Sequence, residues 1–387
     1  MSNVAILGAN GFIGSRAVEM LHLGGGAAVR PIVRNVHSLA RLSKFDLDCR
    51  VADGFDEEGL SRAFQGCDVA VHSIAGDRRT ILGTLAPVYR AAEQAGVRRL
   101  IYLSSASVHG QAPAPGTDET SPLSDRQPIE YNNTKVQAER KLRQLRDRGS
   151  VELVMLRPGI VFGPRSYWLT SFADSLLNGT AYLLDGGQGI CNSIYVDNLV
   201  HAIQLCITAA KADREVFLVG DREQITWFDL YLPIAKSLGF ELEKIPGAQY
   251  IPKKSLPIDQ IENILASKPS IAFLSLFSDK WRKAARAALT SLSQSEPPSP
   301  WQLPTIQSSS LGSTTSLEMA LLYQCQYKLS QTKAHNLLGY EPVVSLPEAW
   351  ERSVGWLKFS GYPVSSSMPA SVSYSLPNSM STGSHEK

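Results

Sequence analysis

The feature that most constrains this chain is its beginning, Val4-Ala5-Ile6-Leu7-Gly8-Ala9-Asn10-Gly11-Phe12-Ile13-Gly14. The short apolar run predicts a buried strand. The glycines behind it permit a tight turn into a helix whose first amides point outward. Such a helix start attracts phosphate, since unsatisfied N–H groups and the helix dipole both favour negative charge. The spacing is Gly-x-x-Gly-x-x-Gly, one residue wider at its first step than the common Gly-x-Gly-x-x-Gly dinucleotide fingerprint. Glycines after a strand also serve as ordinary turn punctuation, so the reading depends on the chain beyond Gly14.

That stretch alternates strands and helices. From Gly14 a helix passes through Ala17, Val18 and Leu21 and stops at Gly24-Gly25-Gly26. Strands are expected at 29–33, 48–52, 68–72 and 99–103, and helices at 57–65 and through Leu85, Val88, Tyr89 and Ala92. The alternation predicts an α/β fold, a doubly wound parallel sheet with helices on both faces, over residues 1–165. Residues 166–360 are expected to form a smaller C-terminal substrate lobe that exchanges segments with the first unit.

In such a sheet the end of the second strand lies beside the adenosine ribose, where an acid suits a 2′-hydroxyl and an arginine a 2′-phosphate. Arg34 stands there, Arg41 comes seven residues later, and no Asp or Glu occupies the strand end. NADP is therefore expected ahead of NAD; the alternative is that both arginines merely solvate a surface loop. After the fourth strand, Ile74-Ala75-Gly76 lets the backbone pass close to a flat cofactor. The fifth strand runs into Ser104-Ser105-Ala106-Ser107, and after a proline-rich loop Tyr131 and Lys135 open a long charged helix. Four apart, they share one helical face. The pair is a weak signal alone and a strong one in this position.

With these residues in place, the chain resembles the extended short-chain dehydrogenase/reductases of the epimerase/dehydratase type. The resemblance is carried by the glycine motif, Asp53, Ile74-Ala75-Gly76, Ser105, Tyr131/Lys135, Leu156-Arg157-Pro158-Gly159-Ile160-Val161-Phe162-Gly163-Pro164-Arg165 and Tyr195-Val196-Asp197-Asn198. It covers about residues 3–240 and returns at 334–357. The arginine spacing and the Val196-Asp197-Asn198 turn look most like the dihydroflavonol-reductase and 3β-hydroxysteroid-dehydrogenase branches. His109 stands where sugar-nucleotide epimerases usually carry tyrosine.

The resemblance implies a Rossmann domain that holds its cofactor at Gly8, Asn10, Gly11, Phe12, Ile13, Gly14, Arg34, Arg41, Asp53, Ile74, Ala75, Gly76, Lys135 and Pro158. It implies Ser105, Tyr131 and Lys135 as the catalytic residues, with no metal. A free phenol, with a pKa of about 10, exchanges protons poorly near neutrality, and Lys135 is expected to lower that value. Ser105 would hold the substrate oxygen, or else merely cap local backbone. Asp197 and Asn198 are expected to cap the next helix, while Arg157 and Arg165 are open to a substrate anion or an interdomain ion pair.

The leading expectation is an NADP-dependent oxidoreductase acting on a secondary alcohol or ketone of a small molecule. An NAD-dependent nucleotide-sugar epimerase or dehydratase is the alternative, and a non-catalytic NADP sensor is a third reading. With a formal charge of +2 over 387 residues, the chain has no basic field that would imply nucleic acid. Five scattered cysteines and no apolar leader suggest a reducing cytoplasm. Residues 250–330 read as an insertion, whose basic amphipathic stretch at 270–294 is expected to cover the cleft or meet a partner subunit, in a homodimer, more readily than to lie on a membrane. The serine-rich tail 361–387 is expected to be disordered.

Overall fold

The computed structural model describes residues 1–248 and 315–365. Period-two alternation along β1 (Asn3–Leu7) sends Val4 and Ile6 to one face of a sheet and Ala5 and Leu7 to the other. The chain then proceeds through α1 (Phe12–Leu23), β2 (Ala28–Val33), β3 (Arg50–Val51), α2 (Glu57–Phe64), β4 (Val69–His72), α3 (Arg78–Gly83), α4 (Leu85–Gln94), β5 (Arg99–Leu103), α5 (Glu130–Arg148) and β6 (Glu152–Pro158). It continues through β7 (Ile160–Phe162), α6 (Tyr167–Leu177), β8 (Ile190–Cys191), β9 (Ser193–Tyr195), α7 (Val196–Thr208), β10 (Val216–Val219), β11 (Ile225–Thr226) and α8 (Trp227–Ser237). The second described stretch holds α9 (Leu317–Tyr323), α10 (Thr332–Leu338) and α11 (Leu346–Phe359).

Seven strands form one parallel sheet in the order β10-β6-β5-β4-β1-β2-β3. The chain leaves β1 for β2 on one side and reaches β4 on the other. The crevice beyond their carboxyl ends is therefore a topological switch point, where ligands bind in sheets of this kind. Helices cover both faces: Ala17, Val18 and Leu21 of α1 join Leu199, Val200 and Ile203 of α7 on one, and Leu60, Phe64, Val88, Ala92 and Leu142 of α2, α4 and α5 cover the other. Edge strand β3 is shorter than expected. Asp48 lies before it, its carboxylate 3.0 Å from Arg30 and 2.8 Å from Arg50.

A second core gathers α6, α8, α9 and α11 around Trp227, which is fully buried and stacks on Tyr323 with ring centroids 5.2 Å apart. Phe172 of α6 stacks on Tyr231 of α8 at 3.8 Å. Between these elements the chain returns to the main sheet to supply α7 and β10. Order extends past the expected start of the tail: the Tyr362 hydroxyl donates to Asp174 at 2.8 Å, and the Ser365 amide donates to the Ser237 carbonyl at 2.8 Å. The apolar rings and backbone partners available on the lobe explain why Gly361–Ser365 is held. The amphipathic stretch at 270–294 and residues 366–387 lie outside the described residues. Among the described residues, no helix is long and apolar enough to cross a membrane.

Candidate active site

The glycine turn is built by close approach. Gly8 has φ +76°, a left-handed conformation that strains any side chain, and a Cβ there would lie 3.0 Å from the Ser73 backbone. A Cβ on Gly14 would overlap the Gly8 carbonyl oxygen and come 2.8 Å from the Ser73 hydroxyl. Bare backbone thus brings the start of α1 against the junction of β1 and β4. Gly11, the residue before α1, offers no side-chain cap, and the first turn carries no acidic residue. The amides there are free for an anion.

Above this turn lies a cavity of about 500 Å³ bordered by Gly8, Asn10, Gly11, Phe12, Ile13, Arg34, Asp53, Ile74 and Ala75. Its anion-accepting floor and small-residue walls fit a nicotinamide adenine dinucleotide. Five expected contacts sit off the wall, Gly14 and Lys135 among them. Arg41 braces the loop by donating to the Asn10 carbonyl at 3.2 Å, and Gly76 packs on Thr80. Pro158 is buried inside the sheet opposite Val219, because it still belongs to β6; its neighbours Gly159 and Ile160 face the second cavity instead.

That second cavity, also about 500 Å³, meets the first at Phe12 and contains Ser105 and Tyr131. Ser105 comes just after β5, and its hydroxyl accepts the Ser107 amide at 3.2 Å, so it caps a local turn and faces the cavity at once. Tyr131 sits at the second position of α5 and is 40% exposed. Lys135, one turn on, is buried; its ammonium donates to the Leu103 carbonyl at 2.8 Å and the Tyr102 hydroxyl at 3.3 Å. It lies 5.8 Å from the Tyr131 ring centroid.

Burial pushes the Lys135 ammonium down to about 8, against the opposing charge of Glu139. Burial also raises the Tyr131 phenol above its ordinary value, a hydrogen bond from Ser105 works the other way, and the Glu318 carboxylate adds to the rise. Lys135, turned toward the Leu103 carbonyl, is not among the groups that set this direction.

Behind the pair, buried Glu139 accepts two bonds from Arg157, at 2.9 and 2.7 Å, and one from the Ser104 hydroxyl at 2.6 Å. Arg157 is thus committed to a buried pair within the sheet unit, neither a substrate anchor nor an interdomain bridge. Burial, joined by the Arg157 charge 3.0 Å away, pushes His109 down to about 4. Arg165 instead reaches the Ser15 hydroxyl at 3.1 Å.

Asp197 and Asn198 do not cap α7. The helix begins at Val196, Asp197 pairs with Arg16 at 2.6 Å and Arg352 at 2.9 Å, and Asn198 ties the amides of Val343 and Val344 to Asp221. A buried carboxylate gains more from two guanidinium groups than from helix amides. Sequence reasoning missed Glu318 of α9, which enters the cavity and accepts from Gln111 at 2.8 Å.

Comparison with known proteins agrees with this geometry. The sequence profile of the 3-beta hydroxysteroid dehydrogenase/isomerase family matches residues 5–247. A 3beta-hydroxysteroid-dehydrogenase/decarboxylase of Arabidopsis thaliana is 27% identical over 286 residues, which span 64% of this chain and 64% of that protein. A UDP-glucose 4-epimerase of Vibrio cholerae is 27% identical over 261 residues, 63% of this chain and 78% of its own. Among solved structures, a Thermotoga maritima UDP-glucose 4-epimerase with UDP-glucose superposes with a TM-score of 0.62 at 20% identity, covering 92% of this chain and 99% of its own. That likeness speaks to the fold.

Proposed function

The chain belongs to the 3-beta hydroxysteroid dehydrogenase/isomerase family, and from that premise we propose that it is an NADP-dependent oxidoreductase acting on a secondary alcohol or ketone of a small molecule. The observation that carries the reading is the meeting of Ser105 and Tyr131 on one cavity wall, beside the glycine cradle and with Lys135 directly behind. The bound dinucleotide supplies or accepts the hydride. This chain's residues do the rest. Ser105 holds the substrate oxygen, Tyr131 gives it a proton during ketone reduction and takes it back during alcohol oxidation, and Lys135 holds the ribose. Gly8, Asn10, Gly11, Phe12, Ile13 and Gly14 form the pyrophosphate turn, and Asp53, Ile74 and Ala75 border the adenine end.

Arg34 supports NADP: it borders the cofactor cavity at the end of β2, and the next residue is Asn35, not a carboxylate. The similar proteins also include a UDP-glucose 4-epimerase, and a structural neighbour of that name was solved in complex with NAD, which keeps the competing reading specific. Fluorescence titration of the purified protein separates the two. NADPH is expected to bind more tightly than NADH, and Arg34→Asp to reverse the order. Protein that emerges from purification with NAD already bound, or an order unchanged in Arg34→Asp, contradicts the proposal.

A further inference from the structure

Among its described lining residues the substrate cavity carries a single charged side chain. Its described walls combine aromatic and aliphatic side chains, such as Phe12, Trp168, Trp227 and Leu322, with neutral polar ones such as Gln111 and Asn192, and no lysine or arginine among the described residues borders it. Glu318 is the one carboxylate among the described residues there. One of its oxygens is fixed by Gln111 Nε2 at 2.8 Å, a bond between residues 207 positions apart that only the packing of α9 on the lobe creates. Tyr131 lines the same cavity, which places the two groups within it together. A diphosphate needs cationic side chains or free helix amides as partners, and a carboxylate repels it.

We propose that Glu318 is the specificity-determining residue of this cavity, selecting an uncharged or cationic, largely apolar alcohol or ketone that carries a hydrogen-bond donor, a hydroxyl or ammonium, away from the reacting carbon. The proposal rests on the reading of Tyr131 as the reacting end of the cavity. Gln111 turns one carboxylate oxygen, and the other is left to accept from the substrate. A carboxylate or phosphate at the same place meets repulsion that no lysine or arginine lining the cavity among the described residues offsets, so the residue both attracts one class and rejects another.

Four probes test this: trans-4-aminocyclohexanol, trans-1,4-cyclohexanediol, trans-4-hydroxycyclohexanecarboxylate and UDP-glucose, each titrated into the full chain with NADP⁺ and read by quenching of Trp168 and Trp227. The amine and the diol are expected to bind about tenfold or more tightly than the carboxylate and UDP-glucose, the scale of one charge-assisted hydrogen bond. Glu318→Gln, with an unchanged melting temperature as the folding control, should abolish the preference for amine over carboxylate. Tighter binding of the carboxylate or UDP-glucose, an order unchanged in Glu318→Gln, or no binding by any probe overturns the assignment. Binding in the expected order with no reduction of NADP⁺ by any alcohol would instead leave the assignment standing and remove the oxidoreductase reading.

Discussion

Lys135 shows how burial sets chemistry one residue at a time. Its ordinary pKa of 10.5 falls to about 8 in the folded chain, chiefly by desolvation. Between those values the unfolded chain holds a proton that the folded site has released, so raising pH across the window stabilises the fold, and the contribution is lost as pH falls through about 8. Chemical denaturation should therefore show wild-type protein gaining stability relative to Lys135→Met from pH 8 to 10.5, parallel curves being the contrary result. The same titration removes the charge assigned to the ribose, and cofactor affinity should decline above about 8 in the wild type and stay level in the variant.

Elements carry the next layer, and the turn between β1 and α1 is the most sharply constrained of them. Gly14→Ala has no backbone freedom to absorb its methyl group, since the obstruction is the Gly8 carbonyl. Gly11→Ala meets only that same oxygen at 3.2 Å, a contact a small shift relieves. Gly14→Ala is expected to lose about 1–3 kcal/mol of stability, the range for overpacking, together with most cofactor affinity, while Gly11→Ala is affected less. Calorimetry and cofactor titration on both variants check the order. These glycines are legible in the sequence because their role is local: a strand, a turn and a helix start are all contiguous. Ser105, Tyr131 and Lys135 are legible as a set for a related reason, since the end of β5 and the first turn of α5 recur at predictable places in a parallel sheet. Asp197 reads wrongly as a cap because its partners, Arg16 and Arg352, lie 181 and 155 residues away, and a capping rule knows only neighbours. Arg157 and Glu139 are hidden in the same way: nothing in the spacing says that two buried charges on β6 and α5 will find each other.

At the scale of the whole molecule, two cavities meet at Phe12, one made by the sheet's switch point and one by the lobe packed around Trp227. The sheet unit brings the glycine cradle, Ser105 and Tyr131, the proposed proton donor, while the lobe brings Glu318 from the far side of the chain. That division explains why the reaction class can be read from sequence and the character of the substrate wall cannot: α9 is seated at the cavity by contacts distant in sequence, Tyr323 stacking on Trp227, Trp227 donating to the Leu322 carbonyl and Gln111 meeting Glu318.

Proton transfer from Tyr131 is the step on which the proposed chemistry depends. Replacing this residue with phenylalanine keeps the ring and its packing and removes only the hydroxyl. Single-turnover hydride transfer, followed as NADPH absorbance with the ketone of whichever alcohol the wild type oxidises fastest, should slow by a factor on the order of 10² to 10⁴, the range for losing a positioned acid/base group, with cofactor affinity nearly unchanged. A wild-type rate in Tyr131→Phe would contradict that role, because no proton would then be passing through this residue.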